Sequence, residues 1–359
     1  MAKLLPCIVI VLMHVACLFS QPLHRYGFEN YPDEHEFVHA NWTAQGFTVP
    51  WTNGFNQSRC FVDDAFSIEG NKSLRVTYPV NTFGPNNNGA QAPIRVANFD
   101  ELYAGYWVRF STNFSWGNTN EGGKLPGLAG GGLCSGCATC NGNNGFSARL
   151  MWRPNGNGVV YLYHMNKTQA CGDNIQLKNP DNTNFRFQKG VWYHIAQRVK
   201  INTVGQSNGE VETFVNGHPA SLITGLRFVT NTDKVNTFYF STFHGGGDAT
   251  WAPTVTCHAW FDDIIISTNR SDVLGPLSLS NFWHKYELQN KRFCFIEDNF
   301  LHVDLENVSK LEIANLNGEI LMKSNQNYMD ITALPLGVYF VFVETIDNRY
   351  VQKVILGKN

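Results

Sequence analysis

The chain has 359 residues, 16% of them charged against the ~25% usual for soluble domains, and a formal net charge of -2. Those totals give room for one large or two smaller domains, and they exclude a nucleic-acid binder, which needs a basic face or a lysine-rich tail. Frequent Gly (32 residues), Trp and Phe with recurring Asn-Gly turns favour an all-β protein of many short strands.

In chain order, residues 1–20 read as a signal peptide. Lys3 supplies the charge, Cys7 to Phe19 the apolar run, and cleavage after Ser20 is expected. The run is short for a membrane span, and no later segment is a candidate. An exported chain meets an oxidising compartment, so Cys60, Cys134, Cys137, Cys140, Cys171, Cys257 and Cys294 are expected to be mostly disulfides. Cys134, Cys137 and Cys140 have metal-ligand spacing, but their surroundings are Gly-rich and hold no His at ligand spacing. Disulfides bracing a loop are therefore expected rather than zinc, with no metal and no cofactor. One cysteine must stay unpaired, and Cys294 is the candidate. Seven Asn-x-Ser/Thr sequons, from Asn41 to Asn307, matter only in a host that glycosylates Asn.

Residues 21–275 read as one β domain. Strands are expected over Tyr106–Phe110, Phe146–Trp152, Val159–His164, Trp192–Val199, Glu210–Val215, Phe238–Phe243 and Trp260–Ile266. Pro154–Gly158 and Asn216-Gly217 read as hairpin turns. No long helical period occurs, so two packed antiparallel sheets, a concanavalin-like jelly-roll β-sandwich, are the natural way to bury these strands. The pattern loosens over 276–292, a linker. Residues 293–359 shift towards Leu, Ile, Val and Asn and read as a small C-terminal β-sandwich, near the lower size limit for independent folding.

Residues 124–172 contain no Asp and no Glu, yet hold Lys124, Arg149, Arg153, Tyr161, Tyr163, His164 and Lys167. Such a stretch places positive charge on its part of the surface, which suits an anionic ligand. Strand alternation puts Ser147, Arg149 and Met151 on one face of the first hairpin strand, and Tyr161 and Tyr163 on one face of the second. Pairing Trp152 with Val160 sets Arg149 opposite Tyr163; a shift of two residues sets it opposite Tyr161. Both registers bring Arg149 and the two tyrosines within roughly 5–8 Å. Tyr titrates near ~10, and a nearby cation lowers that by ~1–3 units. Lys and Arg also neutralise a carboxylate, which makes the adjacent C–H of a uronic acid removable. These are the parts of β-elimination on a polyuronate.

The residues Glu121-Gly-Gly-Lys-Leu-Pro-Gly-Leu-Ala-Gly-Gly131, Ser147-x-Arg149-Leu-Met-Trp-Arg153 and Tyr161-Leu-Tyr163 resemble the alginate and glucuronate lyases of polysaccharide lyase family 14. Ser241-Thr-Phe-His-Gly-Gly-Gly247 and Trp260-Phe-Asp-Asp263 resemble the same family, over roughly residues 25–270. The resemblance implies a jelly roll whose concave face binds the polymer, with Lys124, Ser147, Arg149, Tyr161 and Tyr163 functional. On that reading Lys124 and Arg149 neutralise the carboxylate. Tyr163 acts as acid or base with Tyr161 supporting it, Ser147 positions the sugar, and Gln91 donates to the carboxylate. The Cys134–Cys140 insert departs from the pattern and leaves substrate preference open.

Leu311-Glu-Ile-Ala-Asn-Leu-Asn-Gly318, Asp330-Ile-x-x-Leu334, Gly337-Val-Tyr-Phe340 and Lys353-Val-Ile resemble the type A sorting domain of the Bacteroidota type IX secretion system. That implies a secreted or cell-surface protein with the secretion machinery as a partner of the tail. Three rivals stand beside the lyase. A glycoside hydrolase needs paired carboxylates, for which Glu210 with Glu212, or Asp262 with Asp263, are candidates. A serine esterase is suggested by His244-Gly-Gly-Gly247, but no Gly-x-Ser-x-Gly elbow exists. A non-catalytic lectin has the same fold and is the stronger competitor.

Overall fold

The protein is described from a computed structural model, over residues 22–274, 287–288, 293–297, 299–315, 320–345 and 349–356. The leader expected at 1–20 lies outside these residues. So does the 276–292 linker, apart from a two-residue strand at Glu287–Leu288.

The first part is built from β1 (His24–Tyr26), β2 (Cys60–Asp63), β3 (Ser73–Tyr78), β4 (Ala90–Phe99), β5 (Glu101–Phe110), β6 (Gly123–Gly130) and β7 (Phe146–Arg153). It continues through β8 (Asn157–Tyr163), β9 (Asp173–Gln176), β10 (Trp192–Lys200), β11 (Gly209–Val215), β12 (His218–Leu226), β13 (Val235–Thr242) and β14 (Cys257–Ser267). They form two antiparallel sheets, one ordered β12-β11-β10-β5-β14-β3-β2 with β1 on β14, the other β4-β13-β6-β7-β8-β9. This is the expected jelly-roll sandwich.

Strand alternation decides what enters the core. Phe146, Ala148, Leu150 and Trp152 of β7 meet Val160 and Leu162 of β8 and Phe238 and Phe240 of β13. Tyr106, Val108 and Phe110 of β5, Ile195 of β10 and Phe261 of β14 close the core from the other sheet. Each large buried apolar side chain of this set stabilises the sandwich by about 1.5–3 kcal/mol. The Asn216-Gly217 turn joins β11 to β12, with φ of 49° and 80° as a tight primed hairpin turn requires. The β7–β8 turn over Pro154–Gly156 holds Asn155 at φ 58° and Gly156 at φ 73°.

Two glycines explain the Gly-Gly-Lys-Leu-Pro-Gly string. A Cβ on Gly123 would lie 2.0 Å from the Trp152 indole, and one on Gly127 would lie 2.2 Å from the Ala148 carbonyl oxygen. Only glycine lets β6 approach β7 this closely. The ladder between them shifts register between Leu125 and Leu128, a bulge that re-aims the strand next to Lys124.

The cysteines follow the disulfide expectation in part. Cys134 bonds Cys140 and Cys137 bonds Cys171, so the clustered cysteines brace a loop. Cys60 and Cys257 are buried thiols, which corrects the expectation of one unpaired cysteine. Their strands, β2 and β14, flank β3. Two strand spacings, about 9.6 Å, exceed the ~7 Å Cα reach of a disulfide.

The second part continues from β15, the Glu287–Leu288 strand, through β16 (Cys294–Glu297), β17 (Phe300–Val303), β18 (Val308–Ala314), β19 (Ile320–Ser324), β20 (Tyr328–Asp330), β21 (Gly337–Thr345) and β22 (Arg349–Leu356). Its sheets, β15-β22-β21-β18-β19 and β16-β17-β20, enclose Leu301, Val303, Leu311, Ile313, Met329, Val341 and Val343. Among the described residues no helix is long and apolar enough to cross a membrane.

Candidate active site

The outward face of the six-stranded sheet gathers most of the residues singled out in the sequence. β7 and β8 pair with Arg149 opposite Tyr161 and Ser147 opposite Tyr163, the second of the two registers. β6 brings Lys124 opposite Met151. β13 brings Tyr239 and Ser241, and β4 pairs Gln91 with Ser241.

Lys124 is 8% exposed. Its Nζ donates to Met151 Sδ at 3.1 Å, a weak acceptor, and lies 4.1 Å from the Tyr161 ring centre. Burial, then repulsion from Arg149 and Arg153, holds its amine well below the usual lysine range. Arg149, 3% exposed, donates from Nη1 to Ser241 Oγ at 3.2 Å and lies over the Tyr239 ring at 5.0 Å. Gln91 Nε2 donates to the same Ser241 Oγ at 2.9 Å and to Tyr239 OH at 3.2 Å. Among the described residues Arg149 Nε is buried without a partner.

The tyrosines form a joined pair, with hydroxyl oxygens 3.2 Å apart. Tyr163 is 1% exposed and Tyr161 6%. The Cys137 amide donates to Tyr163 OH at 2.9 Å, which fixes the position of that phenol. Burial, then the Tyr161 hydrogen bond, pushes Tyr163 up to about 12. The Cys137–Cys171 disulfide ties the insert loop to the segment before β9. Gly172 there packs so closely that an added Cβ would meet Tyr163 at 2.7 Å and Tyr161 at 2.9 Å.

Ser147, expected to position sugar, is fully buried and donates to the Cys134 carbonyl at 2.8 Å. Its hydroxyl holds the insert loop. Lys124, Arg149, Tyr161, Tyr163 and Gln91 are thus brought together, with Ser147 beneath them. Reading by single strands missed Tyr239 and Ser241; alternation against Phe238 and Phe240 carries that signal.

The rival constellations are occupied elsewhere. Glu210 accepts from Arg198 at 2.8 Å, with Glu212 at 4.0 Å from the same arginine, in the other sheet. Asp262 accepts backbone N–H groups of Ile68, Glu69 and Asp263. His244 donates from Nε2 to the Ser115 carbonyl at 2.7 Å, and burial holds it neutral at about 4.

Comparison with known proteins agrees with the fold. The Polysaccharide lyase 14 family matches residues 67–264, and a Secretion system C-terminal sorting domain matches residues 297–357. The PL-14 alginate lyase of Aplysia kurodai superposes with a TM-score of 0.58 at 25% identity, covering 70% of this chain and 100% of that one. Alginate lyase Aly36B gives 0.58 at 25% identity, over 70% and 99%. Variants of it with a lysine and a tyrosine, or a lysine and a methionine, replaced by alanine hold an alginate tetrasaccharide or trisaccharide. Exolysin of Paramecium bursaria Chlorella virus 1 is 27% identical over 166 residues, 39% of this chain, and the chain spans 25% of that relative's length. The sorting domain marks the protein for secretion or attachment to the cell surface. With the family match spanning more than half of its length, the chain belongs to the polysaccharide lyase 14 family.

Proposed function

We propose that the protein cleaves an anionic polyuronate, alginate or glucuronan, by β-elimination. A base removes the C5 proton of a uronate residue. The electron pair forms the C4–C5 double bond, the C4–O bond to the neighbouring sugar breaks, and the departing oxygen takes a proton.

The environment of each group suggests its role. Arg149, held by Ser241 and carrying an unpartnered Nε, neutralises the substrate carboxylate, and Gln91 on the same serine donates beside it. Lys124 is buried, bonded only weakly and repelled by two arginines, so its free amine is favoured and it serves as the base. Tyr161 lies against Lys124 and is the more exposed of the pair, so it protonates the leaving oxygen. Tyr163 stays a neutral phenol and orients it. This transfers the base role from tyrosine to lysine relative to the sequence reading. The observation that carries it is a buried lysine, over the Tyr161 ring, with no carboxylate partner among the described residues. The lysine, tyrosine and methionine replacements that let a relative hold alginate oligosaccharides match this Lys124–Met151–Tyr161 contact in residue type.

The test is ultraviolet absorbance of the new C4–C5 double bond on a panel of polyuronates. Wild type is expected to give the absorbance, while Lys124→Ala and Tyr161→Phe abolish it and keep the fold. Retained binding with no absorbance on any polyuronate selects the lectin instead.

A further inference from the structure

We propose that Arg153 and Asn174 form a second carboxylate subsite, for a uronate several rings along the polymer from the one held at Arg149. The subsite rests on the lyase reading and extends it. Arg153 ends β7, and its Nε and Nη2 both donate to Asn174 Oδ1, with Nε at 2.9 Å. Its partner is a neutral amide, and among the described residues no carboxylate lies within 4.0 Å of it. The guanidinium is set between two rings, 5.7 Å from Tyr161 and 5.8 Å from Trp251. It is a fixed and unneutralised cation at the edge of the site.

Its position relative to Arg149 gives the subsite its meaning. Tyr161 pairs with Arg149 on one side and with Asn174 on the other, so these residues follow one line across the strands. Arg149 reaches along that line to Ser241 on β13, and Arg153 to Asn174 on β9. The two anchors stand four strand spacings apart in the order β13-β6-β7-β8-β9, about 19 Å at ~4.8 Å per spacing. One sugar carboxylate cannot reach both cations. A polymer with a carboxylate on every ring can, and Tyr161 then lies between the two held residues.

The test is the kinetics of Arg153→Gln on alginate and glucuronan, each enzyme at its own pH optimum because losing Arg153 also relieves repulsion on Lys124. KM is expected to rise about tenfold or more with kcat little changed, and Arg153→Lys to recover part of the loss. Equilibrium binding of an alginate oligosaccharide to Lys124→Met, with and without Arg153→Gln, is expected to weaken by a similar factor on losing Arg153 and to become less salt-dependent. Should Arg153→Gln fail to fold, Asn174→Asp, which neutralises Arg153 in place, is expected to raise KM in the same way. An active wild type whose KM and oligosaccharide binding are indifferent to these changes overturns the subsite alone. A wild type that forms no double bond on any polyuronate overturns the lyase reading and the subsite with it.

Discussion

The two sheets of the sandwich share their alternation and their core, yet some of their outward cations differ sharply in partner. On the eight-stranded sheet Arg198 meets Glu101 at 2.9 Å and Glu210 at 2.8 Å, and Arg75 meets Glu34 at 2.7 Å and also Asp63. On the six-stranded sheet Lys124, Arg149 and Arg153 meet a thioether, a hydroxyl and an amide. Matched charge serves the fold, and it leaves nothing for a ligand to gain. Charge left unmatched on a half-dry face costs stability and is repaid when a polyanion supplies the missing carboxylates.

The strongest way to break the contrast is Lys124→Met. A general base contributes about 10²–10⁴-fold, so kcat is expected to fall by that range while circular dichroism stays unchanged. The same variant is expected to be more stable than wild type at neutral pH, by about 1–3 kcal/mol, because a buried group without a good partner is removed. The pH dependence has a definite sign. An unfolded lysine titrates near ~10.4 and the folded Lys124 lower, so between the two values the unfolded chain binds more protons. Stability therefore rises with pH through that window, and Lys124→Met flattens the rise. Activity climbs with pH through the depressed Lys124 value. A wild-type rate that instead falls as the amine deprotonates removes the base assignment.

Next in size is the staple. Cys137→Ser with Cys171→Ser releases a cross-link between positions 34 residues apart and frees the amide that orients Tyr163. Thermal or denaturant unfolding is expected to show a loss of about 2–4 kcal/mol. Misplacing the phenol pair is expected to lower kcat by up to about 10²-fold. Unchanged kcat in the folded double variant makes the loop a purely structural brace. Ser241→Ala is milder. It removes one hydrogen bond to Arg149 and one to Gln91, and kcat/KM is expected to drop about tenfold, in line with one charged hydrogen bond.

How much of this was legible follows from the range of each interaction. Period-two alternation with a short turn placed Arg149 and both tyrosines on one face, because those contacts lie within a single hairpin. The same reasoning left two registers open; the turn over Pro154–Gly156 selects Arg149 opposite Tyr161. The fate of Ser147 was not legible, since its acceptor, the Cys134 carbonyl, belongs to a loop whose path depends on a disulfide to Cys171. Nor was the non-pairing of Cys60 with Cys257, which follows from β3 standing between their strands. The poverty of partners around Lys124 was half visible. The carboxylate-free stretch announced it, but Met151 as the stand-in acceptor required the sheet order.

The smallest expected effect is the control on the matched side. Arg198→Gln breaks contacts to Glu101 and Glu210 on the sheet that carries no site residue. Exposed ion pairs contribute about 0.2–1 kcal/mol each, and salt screens them, so denaturant unfolding is expected to show a loss of that size which shrinks in high salt. The KM for a polyuronate is expected to hold, because the carboxylates released, Glu101 and Glu210, face away from the substrate by the full thickness of the sandwich. If instead KM rises as far as it does in Arg153→Gln, the polymer responds to the charge of the whole molecule. The distinction between matched and unmatched faces then loses its functional meaning.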